Sequence, residues 1–472
     1  MLWLSLDRTS PIPLLRQIYL ELRDRILKGN LPAGQKLPSS RELAHHLNVS
    51  RNSVLDAYDQ LIAEGYLESR PRSGTYVAQG AYWKFIDPAP SPVPSDASLY
   101  LTSTDLIDFR SGIPALDAFP RKRWSQLAQQ AFQDAPADAL SYGLPQGCAE
   151  LRIALAHYLQ KTRGVRCNAE QLIITNGATQ AYSLIAKLLT SPGDSIIIED
   201  PVPTEIRQIF SGFGLSLRSV PVDACGLQTE ELPRDRTPRF ALITPSHQFP
   251  MGCVLTIQRR IELLRYAQHT HGYVIEDDYD SEFRYEGTPV NSLQGMAPEQ
   301  VIYVGTFSKT LLPSLRLGYM VLPSSLVEPC RHLKRLSDLH SSSLEQLTLT
   351  QFIQQGYLER HIARMRKLYR SRRDVLKHCL DHHFGDRIRL LGDSTGLHLV
   401  AEFRDLYFSP SLLEAIANQK VRVYPVSHYA LNPMTHQNQI VLGYGNMSIS
   451  DIECGIERLK AALYRGGGHA YL

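Results

Sequence analysis

The chain has 472 residues, 43% of them hydrophobic and 21% charged, enough to bury sizeable cores in roughly two to four domains. Its 50 basic and 47 acidic side chains leave a net charge of only +3, which excludes a polycation that holds nucleic acid or a membrane by bulk attraction. Seven scattered cysteines argue against a disulfide framework or a zinc knuckle, and no apolar run reaches the roughly eighteen residues of a membrane span or signal core, so a cytoplasmic protein with no membrane partner is expected.

Apolar residues at Leu15, Ile18, Leu22 and Ile26 recur with a helical period and predict a helix over 12–27, stopped by Gly29. Ser39 and Ser40 precede a short helix, Arg41 to Leu47, closed by Asn48; Ser50 caps a longer one, Arg51 to Glu64, ended by Gly65. Two helices across the turn Asn48-Val49-Ser50, followed by a hairpin over 66–77, read as a winged helix-turn-helix. Such a unit binds DNA or serves as an interaction or dimerisation module. DNA is favoured because Arg51, Asn52 and Ser53 lie at the start of the second helix, where side chains enter a major groove. Arg41 and the serines Ser39 and Ser40 suit phosphate, and the wing adds Arg70, Arg72 and a permissive Gly74. Residues 1–78 hold ten basic against eight acidic side chains, so binding should depend on dimerisation and placed contacts.

The stretch PIPLLRQIYLELRDRILKGNLPAGQKLPSSRELAHHLNVSRNSVLDAYDQLIAEGYLESRPRSGTYVA resembles the GntR-type winged-helix domain along nearly its whole length. The resemblance implies a double-stranded DNA operator, contacted through Arg41, Arg51, Asn52, Ser53 and the wing tip at Gly74. Leu55 stands where some relatives carry a further arginine.

Residues 79–106, including DPAPSPVPSDAS, have the composition of a linker between this domain, 1–78, and a large segment, 107–472. In that segment short apolar runs alternate with helical patterns: 171–175, 195–199, 240–244, 273–277 and 301–305 read as buried strands of an α/β sheet, mostly parallel. Functional groups should then gather at the carboxyl edge.

Three edges carry chemistry. Asn176-Gly177-Ala178-Thr179 opens a helix whose free amides favour an anion, although a strand-to-helix turn needs a glycine anyway. Glu276, Asp277, Asp278 and Asp280 crowd carboxylates that are costly unless something positive faces them; they suit magnesium, a helix cap or a solvated loop, although a metal normally calls for more oxygen or imidazole ligands nearby. Thr306, Ser308 and Lys309, then Arg316, set a lysine among hydroxyls shortly before an arginine. Pyridoxal phosphate needs an amine, an anion for its ring nitrogen, a donor for its ring oxygen and donors for its phosphate. Lys309, Asp277, Tyr279 and the Gly177 turn with Ser308 and Arg316 supply them in that order.

The motifs SYGLPQGCAELR, TNGATQA, TPSHQFPMG, VIEDDYDSEFRY and GTFSKTLLPSLRLGY resemble fold-type I aminotransferases over most of 107–472. In that family a tyrosine at the position of Tyr142 reaches the phosphate of the partner subunit, which implies a homodimer. The two resemblances joined in one chain are those of the MocR subfamily of GntR-type regulators, and Phe249 in PSHQFP is similar to that subfamily rather than to enzymes with asparagine there. The fusion implies a transcription regulator in which the cofactor, or its adduct with an amine or amino acid effector, alters DNA binding. A true aminotransferase with a vestigial head and a cofactor-free scaffold are the competing readings.

Two departures from relatives bear on the cofactor ring and on the effector. Val202-Pro203 replaces a glycine and a ring-stacking aromatic of many relatives, and Asn446 stands where a member that senses GABA has an arginine; a neutral amide makes no bidentate charge pair. Arg207 and Arg422 are left as carboxylate anchors, against the commoner fate of surface ion pairs. His378, His382 and His383, His45-His46 and the basic run 360–373 read as solvated helix faces, and no metal site is expected.

Overall fold

The computed structural model describes residues 4–81, 105–235 and 237–464. The chain divides into two compact units, Met1–Leu101 and Thr102–Leu472, a division that falls inside the linker span, most of which lies outside the described residues.

The first unit consists of α1 (Leu14–Leu27), α2 (Ser40–Leu47), α3 (Arg51–Ala63) and a hairpin of β1 (Leu67–Arg70) and β2 (Gly74–Val77). Helix α1 starts two residues later than its apolar period suggests, since Ile12 precedes Pro13 and a residue before proline is held out of the helical region. Ile18, Leu22 and Ile26 pack on Leu43, Val54, Leu61, Leu67 and Val77, each contributing roughly 1.5–3 kcal/mol by burial. The turn between α2 and α3 is set by caps: Ser39 and Glu42 form a reciprocal capping box, Asn48 ends α2 at φ 50, and Ser50 accepts from the Ser53 amide.

The second unit begins with β3 (Ile107–Asp108), α4 (Arg121–Asp134) and α5 (Ala149–Arg163). Then follow β4 (Leu172–Thr175), α6 (Ala178–Leu189), β5 (Ser195–Asp200), α7 (Thr204–Gly212), β6 (Ser216–Asp223), β7 (Gly226–Leu227), β8 (Pro238–Ile243), α8 (Ile257–Thr270), β9 (Tyr273–Asp278), β10 (Val301–Thr306) and β11 (Gly318–Val321). Helices α9 (Val327–Asp338), α10 (Ser343–Gln354) and α11 (Tyr357–Phe384) lead into β12 (Ile388–Leu391), β13 (His398–Phe403), α12 (Pro410–Asn418), β14 (Val421–Arg422), β15 (Tyr424–Pro425), β16 (Gln439–Gly443) and α13 (Ile449–Tyr464).

Eight strands form one sheet in the order β4-β11-β10-β9-β8-β5-β6-β7. β10, β9, β8, β5 and β6 run parallel, while β11 is antiparallel to both its neighbours and β7 to β6. The strands β4, β5, β10 and β11 are almost wholly buried because both faces are covered: Leu172 and Ile174 enter one core while Ile173 between them enters the other. A smaller antiparallel sheet, β12-β13-β16-β15, and the parallel pair β3–β14 complete the unit. Among the described residues, no helix is long and apolar enough to cross a membrane.

Register positions the site. Thr175 pairs with Gly318, Gly318 with Thr306, and on the next strand Val304 pairs with Asp277, so the three edges singled out in the sequence lie side by side at one end of the sheet.

Candidate functional site

Lys309 follows β10 and donates from Nζ to the Gly112 carbonyl at 2.6 Å. Burial pushes its pKa below the ordinary lysine value, while Asp280 and Asp277 pull it back up. The adjacent acids on β9 have separate fates. Glu276 accepts the amides of Leu293 and Gln294, and Asp278 is held by Arg163 at 2.7 Å and by the Tyr303 hydroxyl. Asp277 is buried with its Oδ1 unpartnered, and desolvation raises its pKa to about 7 although the Tyr182 hydroxyl works against that. The acid-rich edge is therefore neither a solvated loop nor a helix cap: three of its carboxylates are engaged and Asp277 faces an open demand for a positive donor.

Beside it the start of α6 and Arg316 form a cup lined with hydrogen-bond donors. Gly177, at φ 85, caps α6, whose first amides have no helical acceptor. Arg316 reaches over it, donating to the Asn176 carbonyl at 2.9 Å, and a Cβ on Gly177 would sit 2.8 Å from the Arg316 guanidinium. Thr306 and Ser308 bond each other at 3.1 Å, and Ala178 and Thr179 form the first turn of α6. Underneath, the Asp338 carboxylate accepts from Asn176, Gln180 and buried Lys334, which ties the cup to α9.

Tyr279 bonds His247 Nδ1 at 3.1 Å, and the same nitrogen lies 3.0 Å from Asp280. His247, Asp280 and His398 bring ligand-type atoms within 4.8 Å of one another, but Asp280 is already taken up by His247 and His398 Nε2 by the Pro250 carbonyl. Sequence reading singled out Asp280 but missed its partners His247 and His398, as it missed Gly112, Tyr182 and Arg163, because they come from segments far apart in the chain and no local pattern marks them.

Other expected residues stay apart. Tyr142 is 81% exposed, its ring near His340, and makes no hydrogen bond to the cup among the described residues. Arg207 is spent on the carbonyls of Ala430 and His428 and on Thr204, whereas Arg422 is more than half exposed and pairs loosely with Asp108 at 3.7 Å. Asn446 accepts from the Leu116 amide, and Val202 is buried.

On the first unit, Arg41, Arg51, Asn52 and Gly74 are exposed, and Arg51 Nε reaches the Ser40 hydroxyl at 3.4 Å. The Ser39 hydroxyl is committed to capping α2 and the Ser53 hydroxyl bonds the capping Ser50 hydroxyl at 2.8 Å, which lowers their freedom to grip a ligand. Arg70 is paired with Glu68 and stacked on Tyr76, while Arg72 holds the wing turn at φ 60. Lys36, whose side chain lies against Gly74, is a basic group at the wing that the sequence did not reveal, since it sits in the turn between α1 and α2, far along the chain from the hairpin.

Comparison with known proteins matches residues 104–459 to the family described as aminotransferase class I and II, and residues 14–77 to bacterial regulatory proteins of the gntR family. The chain is 38% identical to the HTH-type transcriptional regulator YdeL of Bacillus subtilis, with 97% of this chain and 98% of that protein covered. It is 35% identical to the probable rhizopine catabolism regulatory protein MocR of Rhizobium meliloti, over 97% of this chain and 95% of the relative. Among solved structures, kynurenine aminotransferase of Pyrococcus horikoshii superposes with a TM-score of 0.72 at 27% identity, covering 80% of this chain and 95% of that one.

Proposed function

From a chain that belongs to the aminotransferase class I and II family and carries a gntR-family head, the arrangement of MocR-type transcription regulators, we propose a sensor: the aminotransferase-like unit binds pyridoxal phosphate and the head binds operator DNA. The observation that carries this reading is the buried, unpartnered Oδ1 of Asp277 beside a half-buried lysine and a glycine-lined cup of donors.

The donor set fits the cofactor. Lys309 has the amine for its aldehyde, and burial favours the uncharged, nucleophilic form. Asp277 has the free oxygen for the ring nitrogen, whose positive charge would in turn keep the carboxylate ionised. Tyr279 has the hydroxyl for the ring oxygen. The amides after Gly177, with Ala178, Thr179, Thr306, Ser308 and Arg316, have the donors for the phosphate, where a charged bond adds roughly 1.5–3 kcal/mol. When bound, the group supplies an electrophilic carbon that exchanges one amine for another.

The effector is the cofactor itself or an amine or amino acid that competes with Lys309. Of the two arginines considered, Arg422 is the freer to take a carboxylate, since Arg207 already satisfies backbone carbonyls. Tyr142, exposed in the single chain, suits a reach into the phosphate cup of a second copy, and the regulator is read as a homodimer. In the head, Arg41 serves phosphate and Arg51 with Asn52 serves base edges; Ser39, Ser40, Ser53 and Gly74 frame them.

The test is spectroscopic and then functional. Wild-type protein loaded with pyridoxal phosphate should show a visible absorption band that Lys309→Ala abolishes, and its affinity for DNA selected by the protein should change on loading and on adding amines. A band that survives Lys309→Ala refutes the site; DNA affinity indifferent to every ligand refutes the sensor.

A further inference from the structure

Resting on the reading of this pocket as a pyridoxal phosphate site, we infer that His247, pinned by Asp280, is a positioning residue for Tyr279: it occupies the phenol oxygen from one side and leaves the O–H free to point at the cofactor's ring oxygen.

His247 Nδ1 lies 3.0 and 3.1 Å from the two oxygens of Asp280 and 3.1 Å from the Tyr279 oxygen. An ionised carboxylate only accepts, so the proton belongs on Nδ1, and the same N–H reaches the tyrosine oxygen as a second acceptor. A phenol whose oxygen is thus engaged keeps its own hydrogen for another partner. Without the imidazole, the Tyr279 hydroxyl would turn to Asp280, the nearest anion, and be lost to the cofactor.

The surroundings hold this arrangement. The side chains of His247 and Asp280 are 1% and 2% exposed. Gly396, at φ 83, packs so closely that a Cβ would lie 2.2 Å from His247 Cε1 and 2.4 Å from an Asp280 oxygen. Its carbonyl is gripped by the hydroxyls of Tyr285 and Tyr444, so the wall cannot retreat. The His398 ring stands 5.0 Å from that of His247, and burial drives its pKa to about 3, which keeps it neutral and leaves Asp280 as the charge in contact. Asp277, Asp278 and Glu199 are the other ionisable groups whose fields reach Tyr279. Phe249, whose ring stands 6.3 Å from that of Tyr279, offers no hydrogen-bonding atom, so the burden falls on the tyrosine.

The experiment uses the full chain loaded with pyridoxal phosphate and follows its visible band against pH in the wild type, Tyr279→Phe, His247→Leu, His247→Asn and the double variant Tyr279→Phe with His247→Leu. A donor to the ring oxygen stabilises its anionic form, so losing it should raise the titration midpoint by about one pH unit. His247→Leu should reproduce the rise seen with Tyr279→Phe, and add nothing to it in the double variant. His247→Asn, whose amide N–H replaces Nδ1–H, should keep the wild-type midpoint. Should His247→Leu not fold, Asp280→Asn, which frees the imidazole to turn, must raise the midpoint instead. An unchanged midpoint in His247→Leu beside a shifted one in Tyr279→Phe overturns the inference, as do additive shifts. A missing band in the wild type overturns the cofactor reading beneath it, which is a distinct failure.

Discussion

The Lys309 amine and the Gly112 carbonyl meet at 2.6 Å across 197 positions of sequence, which fastens the segment after β3 over the half-buried lysine. Gly112 has φ 74, and a Cβ there would lie 3.0 Å from the amine. Gly112→Ala should therefore cost about 1 kcal/mol or more of stability through backbone strain. It should also weaken cofactor loading by displacing the amine. Urea unfolding and a loading titration check the two effects; an unaltered protein would mean that the approach is looser than described.

Stability of the cofactor-free protein should fall as pH rises. Burial pushes Asp277 up to about 7 from an ordinary 3.8, and Glu199 up to about 7 from 4.5. A carboxyl raised in the folded state keeps a proton that the unfolded chain has released, so its contribution is intact below the ordinary value and is lost as pH climbs to the raised one. Between about pH 4 and pH 7, Asp277→Asn should lose less Tm than the wild type. Loading with a cationic ring partner should flatten the wild-type profile. Parallel profiles for the two cofactor-free proteins would show that Asp277 is not the buried acid responsible.

Arg316→Ala should lower affinity for pyridoxal phosphate by roughly ten- to a hundredfold, the size of one charged hydrogen bond. Pyridoxal, which has no phosphate, should bind both proteins alike. Equal losses for the two ligands would take the phosphate away from the Gly177 cup.

On DNA, Arg41→Ala should weaken binding to all sequences and reduce the slope of log affinity against log salt by about one. Arg51→Ala should instead cost about 1–3 kcal/mol on a selected fragment and little on random duplex. Anisotropy titrations at several salt concentrations separate the two. A salt slope untouched by Arg41→Ala would rule out its phosphate contact.

Much of this was legible along the chain. Apolar period, serine caps and glycine stops located the three helices of the head to within two residues, because those signals act within a turn of backbone. The run from Tyr273 to Asp277 and that from Val301 to Gly305 announced buried strands by composition alone, and strand ends collect functional groups wherever a parallel sheet is covered on both sides. Lys309, Asp277 and Gly177 were found on that ground.

Local chemistry thus determined which residues could react or bind, since side-chain type, backbone freedom and periodicity are properties of short segments. Which of them are paired was decided only by the fold. Asp277 and Asp278 are neighbours of the same type, yet the alternation of β9 turns one toward Arg163 and leaves the other with an unpartnered oxygen. The His247–Asp280 pair and the Gly112 carbonyl over Lys309 likewise exist only where loops distant in sequence close on one another, and in a buried site the value of a charge depends on what stands opposite it.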